Sequence, residues 1–118
     1  MAKAAIVILA EAEGHENTGR VVNGLEAAKE FAETDGDEVE IIFDGAGTTW
    51  IPKLEDEEFD YHDLYAAVKD EVSVCDHCAT AFDVGDAVDQ AGLARLADYE
   101  GHPSIRELVD DDYEILTF

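Results

Sequence analysis

Residues 4–10, AAIVILA, are apolar without interruption and rich in β-branched side chains. That is the pattern of a strand buried on both faces, as in a parallel sheet. The polar, glycine-punctuated stretch EAEGHENTG (11–19) predicts a loop. From Thr18 to Glu33 the period changes. Val21, Leu25, Ala28 and Ala32, with Phe31 alongside, fall on one helical face. Asn17 or Thr18 is suited to cap this helix, and TDGD to end it, with Gly36 at the left-handed position. EVEIIFD (38–44) reads as a second strand, with GAGTTWIPKL at its C-terminal end. A helix is expected from Tyr61 to Lys69, with Leu64, Tyr65 and Val68 on its apolar face and Asp60 as its cap. VSV (72–74) is a short strand, and a short helix follows Asp83. Ser104 and Glu107 have capping-box spacing, and YEILTF (113–118) closes the chain as a strand.

Strands alternating with helices predict α/β architecture: a single domain over 1–118, with a mostly parallel sheet covered on both faces. No internal repeat, linker or low-complexity segment interrupts it.

Charge changes the picture of the surface. Thirty Asp and Glu face seven Lys and Arg, a formal net charge of -23 in 118 residues. Such acidity usually accompanies disorder, but the 47% apolar content is plentiful and periodic enough for a core. Nucleic acid is disfavoured as a partner, because binding it depends on neutralising phosphates with Lys and Arg. The composition fits adaptation to molar salt, where the Debye length falls to about 3 Å and self-repulsion is screened. An acidic surface for a basic partner is the alternative. No apolar run approaches the roughly 20 residues of a membrane helix. Met1-Ala2-Lys3 shows neither a basic leader nor a cleavage signature, so a cytoplasmic location with reduced thiols is expected.

Candidate chemistry concentrates where strands end, the ligand-binding edge of open α/β sheets. The first loop holds His15 and Asn17. The second, DGAGTTW (44–50), offers Gly45, Gly47, Thr48 and Thr49 to a small anion or a partner, without the spacing of a phosphate loop. Trp50 within it is expected in the core. The third loop carries the chain's two cysteines in Cys75-Asp76-His77-Cys78. Cys78 sits where ATAF can begin a helical turn, whose amides would favour a thiolate; Cys75 is near enough to resolve it. Asp76 opposes a second anion, and His77, if protonated, offsets it. His62 and His102 read as structural. Four uses of the pair stand open: a dithiol redox couple, part of a metal site, a sulfur carrier, or packing thiols. Zinc would need two further ligands, and no histidine has finger spacing, so no metal ligand set is assigned and no cofactor is expected.

The ordered set AAIVIL, GHENTGRVVNGLEAAKEFAE, VEIIFDGAGTTWIPKL, VSVCDHCATAFDV and YEILTF resembles the DsrE/DsrF-like family of sulfur-relay proteins over nearly the whole chain. The resemblance implies a flavodoxin-like three-layer sandwich with about five strands and a homo-oligomer, a trimer or hexamer. It also implies a carrier cysteine that takes sulfane sulfur from a donor protein and passes it to an acceptor. That role maps onto Cys78, with Cys75 the extra thiol of CxxC-bearing relatives. Relatives often carry arginine and glycine shortly after the cysteine; here the stretch is FDVGD. The alternatives are a non-catalytic homo-oligomeric binding or assembly module with structural cysteines, or a thiol redox or metal-binding protein.

Overall fold

In the computed structural model, which describes residues 1–118, five strands build one sheet. They are β1 (Lys3–Ile8), β2 (Glu38–Phe43), β3 (Val72–Cys75), β4 (Ala94–Leu96) and β5 (Glu114–Thr117). All pairings are parallel, in the order β4-β3-β2-β1-β5. The architecture is the expected α/β sandwich, with the edge strand beside β1 supplied last in the chain.

Right-handed crossovers dictate where the helices lie. From β1 to β4 each strand adds on the same side of its predecessor, so the intervening helices share one face. These are α1 (Gly14–Glu33), α2 (Trp50–Leu54), α3 (His62–Val68), α4 (Asp76–Ala81) and α5 (Gly85–Gln90). Against Ile6, Ile8, Ile41, Phe43 and Val74 of the sheet they bury Leu25, Trp50, Leu54, Tyr65 and Val88, forming the main core. The return from β4 to β5 runs the other way. It therefore places α6 (Ile105–Asp110) on the opposite face, where Leu108 and Ser104 face Ile42 and Leu96 across a cleft of about 300 Å³.

Several expectations need correction. Helix α1 begins at Gly14, four residues before the expected start at Thr18, because its first turns are solvated and show no apolar stripe. Asn17 and Thr18 are thus inside the helix. Neither caps it; Thr18 Oγ1 instead donates back to the Gly14 carbonyl (2.8 Å). Asp60 does not cap α3, whose N-cap position is Tyr61. Strand β4 escaped notice because three residues are too few to show alternation. Gly36 does take the left-handed conformation after α1 (φ +88°). Ser104 Oγ accepts the Glu107 amide at the start of α6 (3.2 Å), one half of the capping box.

Trp50 is fully buried, and its indole N–H donates to the Ala10 carbonyl (2.8 Å), so its role is core packing. His62 is structural as expected, with Nδ1 2.7 Å from the Leu54 carbonyl.

The cleft under α6 is lined by Glu40, Asp98, Glu107 and Asp111 among others. Burial, then the charges of Asp111, Asp98, Glu38 and Glu71, push the Glu40 carboxyl above its ordinary range. A carboxyl raised on folding contributes stability only below its unfolded pKa, and that contribution is lost as pH rises through the folded value. Near neutral pH, Glu40 therefore opposes folding. Glu40→Gln is expected to raise the thermal midpoint at pH 7 in low salt, by a margin that shrinks in molar KCl as the like-charge part is screened. Thermal melts at the two salt concentrations check both signs.

Candidate functional site

Adjacent strands β2 and β3 pair Phe43 with Val74, so the next residues, Asp44 and Cys75, come out side by side at the C-terminal edge of the sheet. Cys75 closes β3 and is the N-cap residue of α4, and its Sγ accepts the Cys78 amide (3.4 Å). This corrects the expected polarity. The helix-start amide points at Cys75, whereas Cys78 lies within the first turn of α4. The other amide available there, that of His77, donates to the Gly101 carbonyl (2.8 Å).

Both thiols are free and buried: Cys75 is 0% exposed and Cys78 8%. Neither sulfur belongs to the main apolar cluster, although their neighbours Val74 and Ala79 do. Each sulfur instead meets a polar partner. Cys78 Sγ donates to Asp44 Oδ1 (3.5 Å), and Cys75 Sγ lies 3.3 Å from His102 Nδ1. The donor atoms of Asp44, Cys75, Cys78 and His102 all fall within 4.8 Å of one another.

Two turns bring in the residues that sequence inspection overlooked. Tyr99 and His102 exchange both backbone hydrogen bonds (2.9 and 2.8 Å) around Glu100 and Gly101, which sit at φ +50° and +84°. These are the φ signs of a type I′ turn, which sets His102 facing Cys75. The tetrapeptide YEGH, closed by Pro103, carried that turn signal in its glycine. His102, expected to be structural, thus stands beside Cys75 as one of four clustered donor residues. Asp44 was equally legible as the polar residue ending an apolar strand. Its Oδ1 also accepts the Gly45 amide (2.8 Å), opening a 3-10 turn over Gly45–Thr49.

That turn is closed on itself. Thr48 Oγ1 donates to the Gly45 carbonyl (2.9 Å). Thr49 Oγ1 donates to the Ala46 carbonyl (2.6 Å) and accepts the Ala12 amide (2.9 Å). The hydroxyls thus serve the turn, whose shape Gly45, Gly47, Thr48 and Thr49 set. His15 is exposed on the first turn of α1 and is not among the four clustered donors. Asn17 lines a different cleft, with Leu9, Arg20 and Phe118 at the ends of β1 and β5. His77 is exposed, its ring 4.7 Å from that of His102. Where FDVGD offers no cation, Arg95 of β4 supplies one: its guanidinium meets Asp76 (3.2 Å), Asp89 (3.0 Å) and the Gly85 carbonyl (3.1 Å). The charge that Asp76 places beside Cys75 is thereby paired.

Burial pushes the Cys75 thiol up to about 12; the Cys78 amide opposes the shift, and the Cys78 sulfur and the Asp44 charge add to it. Below that value Cys75 keeps its proton, and its thiolate fraction rises about tenfold per pH unit. In metal-free protein, iodoacetamide at pH 8 is expected to modify Cys78 ahead of Cys75. Cys75 should react only at strongly alkaline pH or after unfolding. Peptide mass mapping over a pH series checks the order; equal labelling at pH 8 would contradict it.

No family model matches the chain. The uncharacterized protein MJ0733 of Methanocaldococcus jannaschii is 33% identical over 81 residues, a stretch covering 69% of this chain and 66% of that protein. The chain thus spans just under two thirds of that relative's length. Among solved structures, BT1422 of Bacteroides thetaiotaomicron, a conserved protein of unknown function, superposes with a TM-score of 0.59 at 15% identity. The match covers 97% of this chain and 94% of that one, a likeness of fold.

Proposed function

We propose that the protein is a sulfur carrier of the DsrE/DsrF-like type, holding sulfane sulfur on Cys78. The observation that carries this reading is that the Cys78 thiol donates to the Asp44 carboxylate, while Cys75 Sγ lies beside the His102 imidazole. A thiol reacts as its anion, and a carboxylate in contact with the S–H is placed to take the proton as the sulfur attacks.

Cys78 loses its proton to Asp44, and its Sγ attacks the sulfane sulfur of a persulfide donor. The donor's S–S bond breaks, its thiolate leaves, and Cys78 holds the persulfide. An acceptor thiolate then takes the terminal sulfur and returns Cys78. Alternatively Cys75, its proton passed to His102, attacks Cys78 Sγ. A Cys75–Cys78 disulfide forms, hydrosulfide leaves, and an external dithiol restores both thiols. The high pKa of Cys75 suits this order, because it keeps the second thiol silent until Cys78 is loaded.

The location proposed is the cytoplasm, in a cell with molar internal salt, which accounts for the net charge of -23 without assigning chemistry to most carboxylates. The homo-oligomer belongs to the same proposal; light scattering at high salt tests it. The carrier itself is tested by intact mass after exposure to a persulfide donor, where one added sulfur that is lost in Cys78→Ser supports it. None of the helices is long and apolar enough to cross a membrane.

A further inference from the structure

We infer that Asp44, Cys75, Cys78 and His102 form a four-donor site for a thiophilic divalent cation of the zinc class. The set comprises two sulfurs, one imidazole nitrogen and one carboxylate oxygen, all within 4.8 Å of one another. Zinc takes such ligands tetrahedrally, at about 2.3 Å to sulfur and about 2.0–2.2 Å to nitrogen and oxygen. Those radii make the edges of the tetrahedron about 3.3–3.8 Å. The Cys75 Sγ–His102 Nδ1 and Cys78 Sγ–Asp44 Oδ1 separations, 3.3 and 3.5 Å, lie close to those lengths.

The donor chemistry selects the ion. Two thiolates and an imidazole favour zinc-like metals over magnesium or calcium, which take oxygen ligands. With both thiols deprotonated the four ligands carry three negative charges, and a divalent cation leaves one. The surroundings already orient the ligands. The Cys78 amide donates to Cys75 Sγ, the Gly45 amide holds the Asp44 carboxylate, and the Tyr99–His102 turn places the His102 backbone. Such supporting bonds keep a metal ligand in place. The arrangement also explains why finger spacing was not needed. The third and fourth ligands come from the end of β2 and from the turn after β4, brought together by the sheet and not by local sequence.

This site is independent of the sulfur reading. The two occupancies exclude each other, because both use Cys78 Sγ.

The test uses the full chain, stripped with chelator under reducing conditions and never exposed to a sulfur donor. Zinc titrated against a chromophoric chelator is expected to bind at one equivalent per chain with release of protons. Cobalt in its place is expected to show thiolate-to-metal charge-transfer bands and the ligand-field absorption of a tetrahedral centre. His102→Ala and Asp44→Asn are each expected to weaken zinc by more than about tenfold, the smallest loss usual for even outer-shell partners. Circular dichroism of each variant establishes that it is folded, and an unfolded variant is replaced by His102→Gln or Asp44→Ala. Zinc no tighter in the wild type than in the Cys75→Ser/Cys78→Ser double variant overturns the site, and so does affinity unchanged by both ligand substitutions. A chain that binds zinc but takes no sulfane sulfur refutes only the carrier; one that loads sulfur but binds no zinc refutes only the metal site.

Discussion

Treated with a low-molecular-weight persulfide and analysed by intact mass, the metal-free protein is expected to gain one sulfur atom, and Cys78→Ser none. The contrast should be all or nothing, because a serine hydroxyl in the same place offers no nucleophile of comparable reactivity at neutral pH. Cys75→Ser sharpens the assignment. It should still gain sulfur and should hold it longer, because the neighbouring thiol that expels hydrosulfide is gone. Asp44→Asn should load more slowly, and the deficit should narrow at higher pH, where deprotonation of Cys78 no longer depends on the carboxylate. Sulfur on Cys75 alone would reverse the roles. Wild-type protein that gains no sulfur, with its thiols shown reduced by labelling after unfolding, would leave the cysteines as packing or metal ligands.

The second large effect is structural and acts on the same site. A methyl group at Gly47 would stand 2.0 Å from the Ile8 carbonyl oxygen and 2.7 Å from its carbon, so Gly47→Ala forces the 3-10 turn away from the end of β1. Both sides of that contact are backbone, and Ile8 O is held there by the Asp44 amide (3.0 Å), so no side chain can rotate to relieve it. We expect a stability loss of about 3 kcal/mol or more, at or beyond the upper end for overpacking. The matched control is Gly19, exposed on α1 with no atom near its missing Cβ. There alanine should stabilise by up to about 1 kcal/mol through helix propensity. Urea unfolding of the two variants should give opposite signs. In Gly47→Ala the Asp44 carboxylate shifts with the turn, so sulfur loading and zinc affinity should fall together in whatever fraction remains folded.

The elements that announced themselves in the sequence were those whose burial is continuous or one-faced. AAIVILA, the Val21–Leu25–Ala28 stripe and VEIIF each face the main core, and their periods survive in the structure as β1, α1 and β2. What failed did so for local reasons. The start of α1 is wet on all sides and carries no period. Strand β4 is three residues long and contains Arg95, whose side chain is occupied with Asp76 and Asp89. The site was half legible. CxxC at the end of a strand was visible, but its partners lie 31 residues before Cys75 and 24 residues after Cys78, at Asp44 and His102. Only strand pairing and a tight turn bring them to the sulfurs. Residues close in sequence, His77 above all, looked like partners but point elsewhere. A short helix displays successive side chains about 100° apart, so the residue between two inward thiols faces outward.

The strand order has a bearing on how the chain acquires its shape. Strand β1 receives its outer neighbour from residues 114–117, with Ala4 opposite Glu114, so that flank closes only when these distant residues pair. Until then one flank of the most apolar segment in the protein has unsatisfied amides and carbonyls, a template for pairing with another chain. Contacts spanning more than a hundred residues also form slowly. During that interval the seam at β1 is where a second copy could pair, and the docking of β5 closes it.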